Sequence, residues 1–193
     1  SNPLITKLDA RYNQLTSVNL RNGNNANMSC DLRFNPDLLC IEVDDPEASY
    51  SKSNWYKNGF AAYTEDCSKY KPTMVYIPDD NFEQALIDRN LDFGLLNDSV
   101  PKEAIQQLKS LDISYNNISD LTGIEEFINL EQLTCHYNKL TKLNLSANTQ
   151  LRKLLCYNNN ITNLDLSSNV LLTNVNARYN QLTTLNLNNN NNG

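Results

Sequence analysis

The stretch from Leu130 to Asn190 repeats every 21 residues without a gap. Its segments EQLTCHYNKLTKLNLSAN, RKLLCYNNNITNLDLSSN and TNVNARYNQLTTLNLNNN follow one template, L-x-x-L-x-C/A-x-x-N-x-L-x-x-L-x-L-x-x-N. A unit this short cannot bury its own apolar positions, so successive units must stack and cover one another. The period therefore restricts the chain to a solenoid, an architecture that works through an extended surface.

Following the columns outward divides the chain. SNPLITKLDARYNQLTSVNL at the N-terminus matches SNVLLTNVNARYNQLTTLNL from Ser168 to Leu187. The pattern then fades through Cys30, Leu32, Leu38 and Ile41, and gives way to a stretch that carries the sole tryptophan, Trp55. We read residues 1–67 as the end of one array with a C-terminal cap at 44–67, and the polar, Pro-bearing residues 68–74 as a linker. Residues 75–193 then hold a helical N-terminal cap (75–110) and the start of a second array. In that cap Asp79 or Asp80 is expected to begin a helix through Phe82, Ala85 and Leu86, and a second helical piece runs from Pro101 through Ala104, Ile105 and Leu108, with Asp98 or Ser99 near its cap.

Within the template, alternating apolar positions such as Leu133 and Cys135, Leu154 and Cys156, and Val175 and Ala177 suit a short strand with one buried face. The second half of each unit repeats this at Leu143 and Leu145, Leu164 and Leu166, and Leu185 and Leu187. Asn13, Asn116, Asn138, Asn159 and Asn180 stand where the chain turns out of the strand, where an amide can bond to backbone groups of adjacent coils. Asn148, Asn169 and Asn190 hold the equivalent place after the second half.

These segments, with YIPDDNFEQALID and NISDLTGIEEF before them, resemble the leucine-rich repeat family, in particular its bacterial class with a nested period. Those two blocks, with the NLEQLTCHYNKLTKLNLSAN that follows, are similar to the repeat domains of surface and secreted Bacteroidetes proteins, and the stretch LCIEVDDPEASYSKSNW up to Cys67 to the C-terminal caps of the same domains. The resemblance implies a leucine-rich repeat solenoid of short parallel strands and few helices, located outside the cell or on its surface, and it says little about the ligand.

Charge and composition narrow the partners. A net charge of -6 offers no basic patch for nucleic acid. No apolar run approaches the roughly 20 residues that would insert in a membrane, so the chain reads as a soluble piece. Of five cysteines, Cys135 and Cys156 share a repeat column with Ile113 and Ala177, as small apolar residues do. In an extracellular protein Cys40 and Cys67, which bracket the cap, would form a disulfide worth on the order of 3 kcal/mol. Cys30 is then the odd thiol, Cys30 to Cys40 is the alternative pairing, and in a cytosolic protein all five would be reduced.

No column supplies a metal set or a catalytic group. Cys135 and Cys156 lack further ligands in register for a tetrahedral site. Asp44-Asp45 and Asp79-Asp80 lack the spacing of a calcium loop and suit turns and helix caps. His136 alternates with inward Cys135 and should face solvent, and no nucleophile with a carboxylate behind it is in place. No cofactor is expected. Among weaker signals, Asp98-Ser99-Val100 resembles a Bacteroidetes O-glycosylation motif that would modify Ser99.

The outward columns carry the candidate site. Arg11, Ser114, His136, Tyr157 and Arg178 form one column, and Tyr12, Tyr115, Tyr137, Asn158 and Tyr179 form the next. Tyrosine supplies large amphipathic contact area at low entropic cost, which suits binding a protein or a glycan; it equally suits a structural spine beside the asparagines. The expected role is a non-catalytic, adhesion-type binding module whose concave strand face takes a protein or glycan ligand. The alternative is a segment of a head-to-tail filament or a multi-array surface protein, since apolar coil edges at both ends invite stacking of Asn190 to Gly193 on another chain's Ser1.

Overall fold

A computed structural model describes residues 2–35, 37–57, 61–92 and 95–188. Ser1 and Asn190 to Gly193, which the head-to-tail contact invokes, lie outside these residues. In chain order the elements are β1 (Lys7–Asp9), β2 (Ser17–Asn19), β3 (Ser29–Asp31), β4 (Cys40–Glu42), α1 (Pro46–Tyr50), β5 (Trp55–Tyr56) and β6 (Ala62–Thr64). There follow β7 (Met74–Tyr76), α2 (Asp80–Ile87), β8 (Ser99–Pro101), α3 (Lys102–Ile105) and β9 (Ser110–Asp112). The last are β10 (Gln132–Thr134), β11 (Lys153–Leu155), β12 (Asn163–Asp165), β13 (Asn174–Asn176) and β14 (Thr184–Asn186).

The repeat period becomes the sheet register. Lys153 lies opposite Gln132 and Asn174 opposite Lys153, in the parallel sheet β13-β11-β10-β9. Because the offset from β10 to β11 matches the period, Leu133 and Leu154 stack in one buried row and Cys135 and Cys156 in the next; Leu111 and Ile113 extend these rows from β9, which pairs with β10 one residue out of the 21-residue period. On the other side of the coils, β12 and β14 pair in the same register. Residues 143–145 form no strand, so only part of the second row expected from the template becomes a sheet. Val175, Leu185 and Leu187 sit in the inward columns but remain exposed, because no described coil covers them.

The asparagine ladder fixes each turn. Asn138 donates from Nδ2 to Ile113 O and Cys135 O, at 2.8 and 3.0 Å, and its Oδ1 accepts from Asn116 N and Ile118 N. Asn159 and Asn180 repeat the arrangement one and two coils later. Each amide thereby ties two coils through backbone groups that would otherwise be buried unpaired.

The first half of the chain has a separate core built around Leu38, Ile41, Val43, Trp55 and Tyr63. Here β1-β3-β5 and β2-β4-β6 are two parallel three-stranded sheets. The stretch 44–67, read as foreign to the repeat, contributes a further rung to both sheets through β5 and β6. Its inward positions are Trp55 and Tyr63 in place of leucine, which is why the template did not reveal it. Trp55 donates its indole N–H to Met28 O at 2.6 Å, and Cys40 and Cys67 are joined as a disulfide. Cys30, Cys135 and Cys156 are free and buried.

The segment ahead of the second array differs from the expected pair of helices. Asp79 caps α2 through Asn81 N and Phe82 N, and Phe82 and Leu86 are buried. Residues 99–101, however, form β8, antiparallel to β7, and α3 starts only at Lys102 with no side-chain cap from Asp98 or Ser99. The β strand therefore begins at Met74, inside the expected linker. Gly123, at φ 99°, lets this pair approach the array: a Cβ there would lie 2.7 Å from Tyr76 O.

Candidate functional site

The exposed face of β9, β10, β11 and β13 brings together six of the predicted residues. Tyr115 and Tyr137 stack with ring centroids 4.4 Å apart and planes 13° from parallel. His136 stacks on Tyr157 at 4.3 Å and meets Tyr115 and Tyr137 edge-on. The guanidinium of Arg178 lies 5.0 Å from the Tyr157 ring and 5.5 Å from that of Tyr179. The columns read from the repeat are thus one continuous π-stacked surface across four coils. His136, expected to face solvent, is only half exposed, because the neighbouring rings enclose it; its Nδ1 is buried with no hydrogen-bond partner among the described residues.

The tyrosine column is not strand backbone. Tyr115, Tyr137, Asn158 and Tyr179 have φ of 60°, 54°, 54° and 54°. This left-handed conformation turns the chain toward the ladder asparagine and is unfavourable for residues other than Gly and Asn by roughly 1 kcal/mol or more. Asn158 is the residue type the backbone prefers, and the tyrosines hold the position against that preference. The sequence hid the turn because tyrosine there reads as a strand residue.

Arg11 and Tyr12 belong to the other array, where the same face is differently wired. Arg11 is held by Asp9 through Nε and Nη2 at 2.9 and 2.7 Å, and Arg33 by Asp31 at 2.9 and 2.5 Å. Tyr12 and Phe34 stack at 4.4 Å, both with positive φ, and Arg33 lies over Tyr56 at 4.7 Å. The side-chain bonds and charge of Arg11 hold the exposed Asp9 carboxyl down at about 2. Asp31, Arg33 and Phe34 were missed from the sequence columns; the repeat of DARYN as DLRFN was the available signal.

The remaining predicted positions lie elsewhere. Ser99 stands on β8, half-buried, its hydroxyl donating to Asn97 Oδ1 at 2.5 Å. Asp45 caps α1, and Asp44 accepts from Gly23 N. Asp80, Glu83 and Asp98 bring carboxylates within 4.8 Å of one another, but both Glu83 oxygens are taken by the backbone N–H groups of Asn97 and Asp98. Burial pushes the Cys156 thiol up to about 12 and Cys135 higher than an ordinary thiol, so neither is a thiolate suited to metal or nucleophilic chemistry.

A cavity of about 580 Å³ is on the other side of the coils, between Asp120, Lys142, Ser146 and Asp165. Its charges are already engaged: Lys142 faces Asp120 at 3.9 Å, and Asp165 accepts from Ser167 N and Asn186 Nδ2. The aromatic strand face has the denser set of convergent groups.

The family described as Leucine Rich repeats (2 copies) matches residues 106–148. Internalin J of Listeria monocytogenes serotype 4b (strain F2365) is 39% identical over 75 residues, which cover 38% of this chain and 8% of that protein. Among solved structures, the functional domain of InlJ from Listeria monocytogenes, which includes a cysteine ladder, gives a TM-score of 0.51 at 32% identity over 60% of this chain and 29% of that one. An internalin, InlF, from Listeria monocytogenes str. 4b F2365 gives a TM-score of 0.49 at 23% identity over 58% of this chain and 37% of that one. The chain therefore spans under a third of each of the two InlJ relatives. The stacked parallel strands, the asparagine ladder, the repeat match and the likeness to the InlJ domain make the fold a leucine-rich repeat solenoid.

Proposed function

We propose that this chain is a non-catalytic recognition module of the protein-binding or adhesion type, working outside the cell or on its surface, and that the aromatic face of β9, β10, β11 and β13 takes the ligand. The observation that carries this is the row of tyrosines kept at left-handed positions that Asn158 shows to be open to asparagine. Residues retained against backbone preference point to selection for what they display. The Cys40–Cys67 bond favours an oxidising compartment. No helix among the described residues is long and apolar enough to cross a membrane. An imidazole acting as a base needs a transferable proton within hydrogen-bond reach, whereas His136 is surrounded by tyrosine rings.

The division into an array end with its cap (1–67), a linker (68–74) and a capped second array (75–193) belongs to this reading, supported by the two separate cores. The Bacteroidetes lineage rests on the repeat blocks and the cap stretch of the sequence; Internalin J and the InlJ domain are from Listeria.

The test is a paired pull-down and glycan array, comparing the wild-type chain with a variant carrying Tyr115, Tyr137, Tyr157 and Tyr179 as alanine. Protein capture by the wild type that falls at least about tenfold in a folded variant supports the reading. Capture that survives intact contradicts it, and binding confined to the glycan array replaces the protein ligand with a sugar.

A further inference from the structure

Three coils place an arginine in the same outward position, two residues after a position that is acidic in two of them. In DARYN and DLRFN, Asp9 and Asp31 each do two things: Oδ1 accepts from the backbone N–H of the arginine, at 3.3 and 3.2 Å, and the carboxylate clasps the guanidinium. In NARYN the residue is Asn176. It keeps the backbone bond, Arg178 N to Asn176 Oδ1 at 3.4 Å, and lacks the second charged oxygen. No carboxylate lies within ion-pair distance of Arg178 among the described residues. Its guanidinium carbon instead lies 5.0 Å from the Tyr157 ring centroid and 5.5 Å from that of Tyr179, and contact with an aromatic face does not use up the hydrogen-bonding capacity of a guanidinium.

We propose that Arg178, uncoupled from an internal partner by asparagine at 176, is the receptor for a carboxylate from an acidic side chain of a protein ligand, docked in bidentate fashion beside the Tyr157 and Tyr179 rings. The site rests on the strand-face reading above and names its chemistry. A fixed planar fork loses little freedom when it meets a carboxylate, so such a pair gives geometric specificity as well as attraction. The surroundings favour a side chain over an anionic sugar. Tyr157 has His136 stacked at 4.3 Å and Arg178 at 5.0 Å, and Tyr115 and Tyr137 face each other at 4.4 Å. Sugars stack on open ring faces, whereas Tyr115, Tyr137 and Tyr157 each spend a ring face on a neighbouring ring.

The experiment titrates an acetylated, amidated tetraglutamate peptide, its tetraglutamine counterpart and glucuronate into the chain, reading the Arg178 Nε–H resonance by NMR. The peptide should shift that resonance saturably and lose affinity as salt rises. Arg178→Gln should weaken peptide binding about tenfold or more, and Asn176→Asp, which restores the internal clasp while keeping the arginine, should weaken it as much. Asn176→Ala, which adds no charge, should bind like the wild type. Wild-type affinity in Asn176→Asp, equal binding of tetraglutamine, or tighter binding of glucuronate than of the peptide would overturn the proposal. Those results leave the strand-face reading to its own tyrosine-to-alanine capture test, which can fail separately.

Discussion

Asp79 and Ser119, 40 residues apart, are clasped: Oδ2 of the aspartate accepts from the Ser119 backbone N–H at 2.9 Å and from its hydroxyl at 2.7 Å. The other oxygen caps α2 through Asn81 N and Phe82 N. One carboxylate therefore both starts the helix and docks it on the first regular coil. Asp79→Ala should cost about 3 kcal/mol, from a lost cap and orphaned backbone donors, read as the fall in urea midpoint. Burial alone would raise the Asp79 carboxyl, but the bonds from Ser119, Asp120 and Phe82 more than offset this and set it below the ordinary aspartate value. The stability it contributes is complete above the unfolded pKa of about 3.9 and is lost as pH falls through the lower folded value. Wild type should therefore lose more stability than the alanine variant between neutral and acid pH; parallel curves would count against the clasp.

Tyr137 should tolerate asparagine. At φ 54° the replacement relieves backbone strain while losing ring stacking, two effects of about 1 kcal/mol each and opposite sign. Tyr137→Asn should melt close to wild type and lose near-ultraviolet circular dichroism from the stacked tyrosines. A large drop in melting temperature would make the stripe a structural spine.

How far the sequence exposed this architecture depended on whether information was local and periodic. The inward rows through Leu133 and Leu154 and the ladder through Asn138 and Asn159 recur every 21 residues, and they became strand register and turn bonds. The Asp79–Ser119 clasp is long-range and carries no periodic mark. The rungs at Trp55 and Tyr63 escaped because aromatics fill leucine positions, and β8 escaped because Pro101 reads as a helix start. At the site, the columns were visible, but the left-handed turn beneath the tyrosines and the pairing of Arg11 with Asp9 and of Arg33 with Asp31 were not.

Asn138→Ala should be among the costlier single changes, at about 3 kcal/mol or more, because it strands buried carbonyls of Ile113 and Cys135 and two backbone N–H groups. Asn180→Ala, on a half-buried coil, should cost less. Chemical denaturation of the pair checks the order, and equal losses would argue that the ladder is not what ties the coils.

Reduction should act on one half of the chain. Trp55 is the sole tryptophan and is buried in the core of the half that carries the Cys40–Cys67 bond. Replacing both cysteines with alanine should destabilise that core by about 3 kcal/mol. The tryptophan fluorescence transition should move to lower denaturant while the tyrosine dichroism of the second array stays in place. A fluorescence transition indifferent to reductant would show the bond to contribute nothing.

The strand-face account is tested most directly by photo-crosslinking from two sides of the same coil. A benzophenone amino acid placed at Tyr137 lies on the aromatic face, whereas one at Lys142 lies on the opposite side beside Asp120. With bound protein ligand, the account predicts crosslinks from position 137 and none above background from position 142. Crosslinking from 142 alone, or equally from both, would contradict it.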